Sequence, residues 1–155
     1  MRAGRHWLGE RRGAALVEFA LVVVLLMTLV LGIIEFGTLA MDKLTLTQGA
    51  REGARAASLG RTVDNIEERI RSAAATLNED DITIAMTYST DDGATWPYTL
   101  GDNAAGTANN APAGSLIKIQ CAYPHTMVTG DFFAWWSGVV DGKRPIGTVV
   151  VMRRE

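Results

Sequence analysis

Three kinds of residue in this 155-residue chain have the chemistry to act as a site: the adjacent carboxylates Asp91 and Asp92, the single thiol Cys121, and Glu18, a lone carboxylate inside an uncharged apolar block. Two neighbouring carboxylates can share acid and base work when their surroundings push their proton affinities apart. Hydrolysis by a nucleophile needs more, a base beside it and a group that orients the base, and no such set is recognisable here. A membrane-anchored hydrolase would therefore rest on the Asp91–Asp92 pair alone. His6, His125 and Cys121 are too scattered in sequence for metal-ligand spacing, and no glycine-rich nucleotide fingerprint is present. No metal or cofactor is expected. With one cysteine there is no intramolecular disulfide. A small buried thiol on a strand is the simpler reading of Cys121, with an intermolecular bond left open.

The element that carries Glu18 is the most distinctive in the chain. Phe19 to Ile34 reads FALVVVLLMTLVLGII, without a charge. Extended back to Ala14 it spans about 21 residues, or ~32 Å of helix, against a hydrocarbon core of ~30 Å. This predicts one membrane span. Arg2, Arg5, Arg11 and Arg12 precede it with only Glu10 against them, whereas the whole chain has a net charge of −2. That asymmetry places the N-terminus in the cytoplasm and the C-terminal part outside. The charge balance gives no reason to expect a nucleic-acid partner. Glu18 would lie ~6–7 Å inside the apolar helix, where an ionised carboxylate costs up to ~2.5–3.5 kcal/mol near the centre and less at the edge. Such a group either finds a cation or snorkels to the headgroups.

A secretory signal has a shorter apolar region followed by a small-x-small site, and Leu39-Ala40 is a poor version of one. A better processing sequence precedes the block: Arg11-Arg12-Gly13, then Ala14-Ala15-Leu16-Val17-Glu18-Phe19. This arrangement resembles the cleavage site of type IV prepilins, particularly the short Flp type. The resemblance implies cutting by prepilin peptidase between Gly13 and Ala14, which makes Glu18 the fifth residue and Phe19 the aromatic after it. A free α-amine on Ala14 would then be the obvious cation for Glu18, on a neighbouring subunit.

After Ile34 the chain runs to Gly60 with no proline, so the helix should continue to about Leu59, ~68 Å in all. Its second half carries small residues at four-residue spacing, Gly49, Gly53 and Ala57. This is a packing seam, open either to a partner helix or to the protein's own domain. The blocks RGAALVEFALVVVLLMTLVLGIIEFG and QGAREGARAAS together resemble the TadE-like family of tight-adherence pilus proteins, over roughly residues 11–60. Gly53 stands where that family usually has alanine. Members are pseudopilins or assembly factors of Flp pili. The resemblance therefore implies a non-catalytic, single-pass protein of the inner membrane, with other pilins, pilus-assembly proteins and prepilin peptidase as partners.

Beyond the helix the sequence predicts an extracytoplasmic α+β domain over residues 61–155, following a cytoplasmic leader (1–13) and the spanning and projecting helix (14–60). Arg61 to Leu77 reads as a second helix, with Asp64 and Glu67 as a candidate capping box. Period-2 alternation marks three strands, through Ile82–Tyr88, Ile117–Tyr123 and Ile146–Met152. Together these give a three- or four-stranded antiparallel, pilin-like sheet. Ser89 to Trp96 matches the Asp-box pattern of sialidase propellers, which is a hairpin turn remote from catalysis. One copy cannot build a propeller, so a hairpin over about Ile82–Tyr98 is expected. The Gly, Asn, Ala and Thr of Leu100–Gly114 read as a mobile loop. Phe132-Phe133-Ala134-Trp135-Trp136 is either an exposed interaction patch or a lid under the last strand. The alternative to a pilus subunit is an uncleaved, membrane-tethered binding or adhesion module.

Overall fold

The computed structural model describes residues 7–133 and 138–155. Residues up to Gly37 form one compact unit and residues 38–155 another. The first unit is helical throughout its described length and belongs to α1 (Trp7–Ser58). The apolar side chains there are solvent-facing all round, with Leu16, Phe19, Leu21 and Leu25 each more than 65 % exposed. A soluble protein cannot leave such a stripe open on every side. This is one helix long and apolar enough to cross a membrane.

In the second unit, residues 38–58 of α1 pack with α2 (Val63–Ala73) against one face of a four-stranded antiparallel sheet. The strands are β1 (Thr83–Ser89), β2 (Tyr98–Thr99), β3 (Leu116–Thr126) and β4 (Lys143–Arg153), in the order β2-β1-β3-β4. The predicted α+β class holds, with four strands. Burial follows the predicted alternation. Ile117, Ile119 and Cys121 of β3 and Ile146 of β4 face the core, while Val149 and Val151 lie on the open face. Leu46, Ile66, Ile70, Ile117 and Ile119 are fully buried and make its centre.

Two prolines sit in this sheet without cost. Arg154 N–H donates to Ser115 O, and Met127 N–H donates to Gly142 O, so even-numbered residues of β4 bond toward β3. Pro145 therefore points its missing donor to the free edge, where proline is tolerated. Pro124 lies opposite Pro145, beyond the last β1 pair at Thr83↔Ala122, so no ladder bond is lost there either.

The end of α1 follows the predicted glycine stop. Gly60 adopts φ +75°. Its N–H donates to Ala57 O at 3.0 Å, and Arg61 N–H to Ala56 O at 3.1 Å, the pair of bonds that defines a Schellman cap. The second helix is shorter than the predicted 61–77, and the capping box is not formed. Thr62 is the N-cap without a side-chain bond, and Asp64 lies inside the first turn. Instead, Asp102 reaches in from the Leu100–Gly114 segment and accepts the Val63 N–H at 2.8 Å. A distant carboxylate took the role that local spacing had assigned to Asp64 and Glu67.

Nor is that segment a free connection. Leu100, Asn109 and Ala111 are buried. Asn109 Nδ2 donates to Ala57 O at 2.9 Å and Arg61 O at 3.0 Å, its N–H donates to Gly60 O, and its Oδ1 accepts from Ala111 N–H. Composition had concealed an anchor point that closes the C-terminus of α1.

Candidate functional site: an anchor helix and its processing sequence

Gly13 lies within α1, and a Cβ built on it would meet nothing within 4 Å. Ala14 and Glu18 are exposed on the same helix. From Gly13 to Ile34 the only ionisable side chain is Glu18. A helix keeps residues 14 and 18 on one face one turn apart, but it directs each side chain toward its own N-terminus. The sequence-predicted residues Gly13, Ala14 and Glu18 thus lie on one helix, and none of its best apolar window is buried.

Gly49, Gly53 and Ala57 have a different setting, inside the second unit and all buried. A Cβ on Gly49 would lie 2.8 Å from Ile70 O and 3.3 Å from Ala74 Cβ. On Gly53 it would lie 2.3 Å from Ile70 Cγ1, with Ile119 Cδ1 behind at 3.6 Å. The small stripe therefore lets α2 and β3 approach the α1 backbone.

The other chemistry-bearing residues are occupied structurally. The hairpin predicted around the Asp-box pattern is present, with Tyr88↔Tyr98 and Thr87↔Thr99 paired and the two tyrosine rings stacked at 5.0 Å. Ser89 Oγ donates to Asp91 Oδ1 and accepts from Gly93 N–H at 2.9 Å. Asp91 also accepts from the Thr95 N–H at 3.0 Å and from the Thr95 hydroxyl. Asp92 and Gly93 take φ of 59° and 91°, which the turn requires. Asp92 accepts from the Arg153 guanidinium. The two carboxylates thus serve the turn separately rather than one reacting centre.

Hydrogen bonds from Ser89 first, then from Thr95, hold the Asp91 carboxyl down to about 2. A depressed folded value contributes stability above the ordinary carboxylate value of 3.8, and that contribution is lost as pH falls through about 2. The hairpin should therefore stay formed at pH 3. A carboxyl NMR titration of Asp91 should give a midpoint near 2 in the folded protein, and an ordinary midpoint would count against this bonding.

Cys121 is buried on β3, and burial pushes its thiol up to about 11, so it is protonated at neutral pH. His125 is also buried and shares a 2.7 Å contact from Nδ1 to Asp42 Oδ2, a pair that no sequence spacing suggested. Among the described residues, no group of three His, Cys, Asp or Glu side chains could hold a metal ion. Of the aromatic run, Phe132 is 55 % exposed, while Ala134, Trp135 and Trp136 lie outside the described residues.

Residues 13–55 match the family model described as TadE-like protein. No curated protein matches the chain, and no solved structure does. The match takes in the apolar segment, Glu35-Phe36-Gly37 and the Ala-Arg-rich stretch as far as Arg55, and stops short of α2. Over residues 13–55 the chain is similar to the TadE-like family, in a segment of the one candidate membrane-spanning helix among the described residues.

Proposed function

We propose that the protein is a minor pseudopilin or assembly component of tight-adherence (Flp-type) pili. In this reading it is non-catalytic, anchored in the cytoplasmic membrane with its N-terminus inside and residues 61–155 outside, and released from its leader by prepilin peptidase between Gly13 and Ala14. The observation that carries the reading is that the TadE-like match begins at Gly13 itself and runs through Glu18 into an apolar helix. The basic residues before Gly13 favour retention of the leader in the cytoplasm. Once the leader is removed, the α-amine of Ala14 offers Glu18 of an adjacent subunit an ion pair in a medium where an unpaired carboxylate is costly.

The test is the N-terminus of the membrane-extracted protein, by intact mass and peptide sequencing, with and without the peptidase. A start at Ala14 that depends on the peptidase is expected, and Gly13→Leu should retain the leader. Full-length protein in both backgrounds would overturn the processing step and favour a permanently tethered binding module. Glu18→Ala should leave cleavage intact but reduce co-purification with pilus-assembly proteins by about tenfold, the scale of a lost intramembrane charge partner.

A further inference from the structure

Where α1 turns into α2, a groove of about 220 Å³ is lined by Glu52, Arg55, Ala56, Leu59, Arg61 and Arg69. Ala56 is its buried floor, and the three arginines and Leu59 are exposed. Three guanidiniums face a single carboxylate. Among the described residues, Arg55 and Arg61 enter no ion pair, and the Arg69 Nε donates only to the Asn65 side-chain oxygen at 3.2 Å. Guanidinium forks matched to one small cleft suit carboxylates.

The opposite end of α2 presents the complementary surface. The 3-10 turn Glu79–Asp81 exposes three consecutive acids. Arg71, the nearest cation, bonds to the Glu79 main-chain oxygen rather than to its carboxylate, and its other nitrogen faces Glu67 at 4.0 Å. Asp81 accepts from Asn78 at 2.9 Å, which fixes the turn without neutralising it. The turn follows the C-terminal end of α2, whereas Arg55, Leu59 and Arg61 precede its N-terminal end, and no ion pair joins turn and groove among the described residues.

We propose that the Arg55–Arg61–Arg69 groove is the docking site for the Glu79-Asp80-Asp81 turn of a second copy of this chain. The two patches are different surfaces, so the contact is heterologous. Each copy in a row keeps one open groove and one open turn, and the row extends instead of closing as a pair. The contact involves only the outer domain, so it stands or falls separately from removal of residues 1–13.

The experiment uses the full-length protein in detergent, with Cys121→Ala and new cysteines at Leu59→Cys on the groove rim and Thr76→Cys at the exposed approach to the turn. A short bis-maleimide should give a ladder of dimers, trimers and larger species at low salt. The ladder should weaken about fivefold in 0.5 M NaCl, where exposed charges are screened. Adding Arg61→Glu with Arg69→Glu, or Asp80→Lys with Asp81→Lys, should each reduce the ladder about tenfold by setting like charges against each other. Mixing the two reversed proteins should restore it, because each reversed surface then meets its complement. The proposal is overturned by a ladder indifferent to both reversals, by a mixture that fails to recover, or by a product that stops at the dimer.

Discussion

Gly49→Val is expected to destabilise the residue 38–155 unit by about 3 kcal/mol or more. The obstacle is main chain. A Cβ at this position lies 2.8 Å from the Ile70 carbonyl oxygen and 3.3 Å from Ala74 Cβ, so relief requires α2 itself to move away. Replacing glycine inside a helix gains about 1 kcal/mol in propensity, which is smaller than the overpacking and is further reduced by the branched Cβ of valine. Gly37→Ala on the same helix meets nothing within 4 Å and should keep the propensity gain. Pulse proteolysis of the detergent-solubilised protein across a urea series would separate the two. Equal stability in the two variants would show that α2 does not pack closely on α1 at Gly49. Gly53 is a milder case, because its obstruction is the Ile70 side chain. Alanine, the residue usual in the TadE-like family at that position, should fit once residue 70 is shortened.

Asn109→Ala should cost about 2–3 kcal/mol, and Asn109→Asp more. The side chain is 2 % exposed and donates to two carbonyls at the end of α1, Ala57 O, which also accepts the Gly60 N–H, and Arg61 O. Alanine removes that donor from both carbonyls. Aspartate is nearly the same shape, but it sets an acceptor-only carboxylate against both of them, so shape alone would rank it safest while hydrogen bonding ranks it worst. The same urea series reads the order. If aspartate were tolerated better than alanine, the amide would be oriented the other way and the cap would be made differently.

What the chain reveals of itself divides along a physical line. The long helix, its stop at Gly60 and the inward alternation of Ile84–Met86, Ile117–Cys121 and Ile146–Met152 are legible because burial imposes a period on neighbouring residues. The hairpin is legible because the Ser-x-Asp-x-Gly-x-Thr pattern is a local hydrogen-bond network closed within seven residues. The failures are long-range. Asp64 and Glu67 had capping-box spacing, but Asp102, 39 residues from Val63, made the bond. The Leu100–Gly114 stretch has no apolar period, so its buried Asn109 and Ala111 were invisible until the end of α1 was placed beside them. The second strand is two residues long and gives no alternation at all. Of the candidate site, Gly13, Ala14 and Glu18 rest on the sequence pattern alone, while the small stripe is visible in the spacing of Gly49, Gly53 and Ala57. Which surface the stripe faces could not, since both a partner helix and the protein's own α2 would select the same glycines.

The bonds from Asn109 also set an order of events as the chain emerges. The span of α1 can enter the bilayer as soon as it is made, because a helix satisfies its backbone locally. Its far end cannot be finished then: the groups that complete the cap come from 52 residues later, and β3 gains its longest pairing only when Lys143–Arg153 arrives. Until that closure the small stripe, shaped to receive α2 and β3, stands uncovered on a chain already tethered at the membrane. Late, non-local closure is slow and leaves apolar surface open in the meantime. The interval between insertion and closure is thus the period in which this protein's apolar packing surface is most exposed.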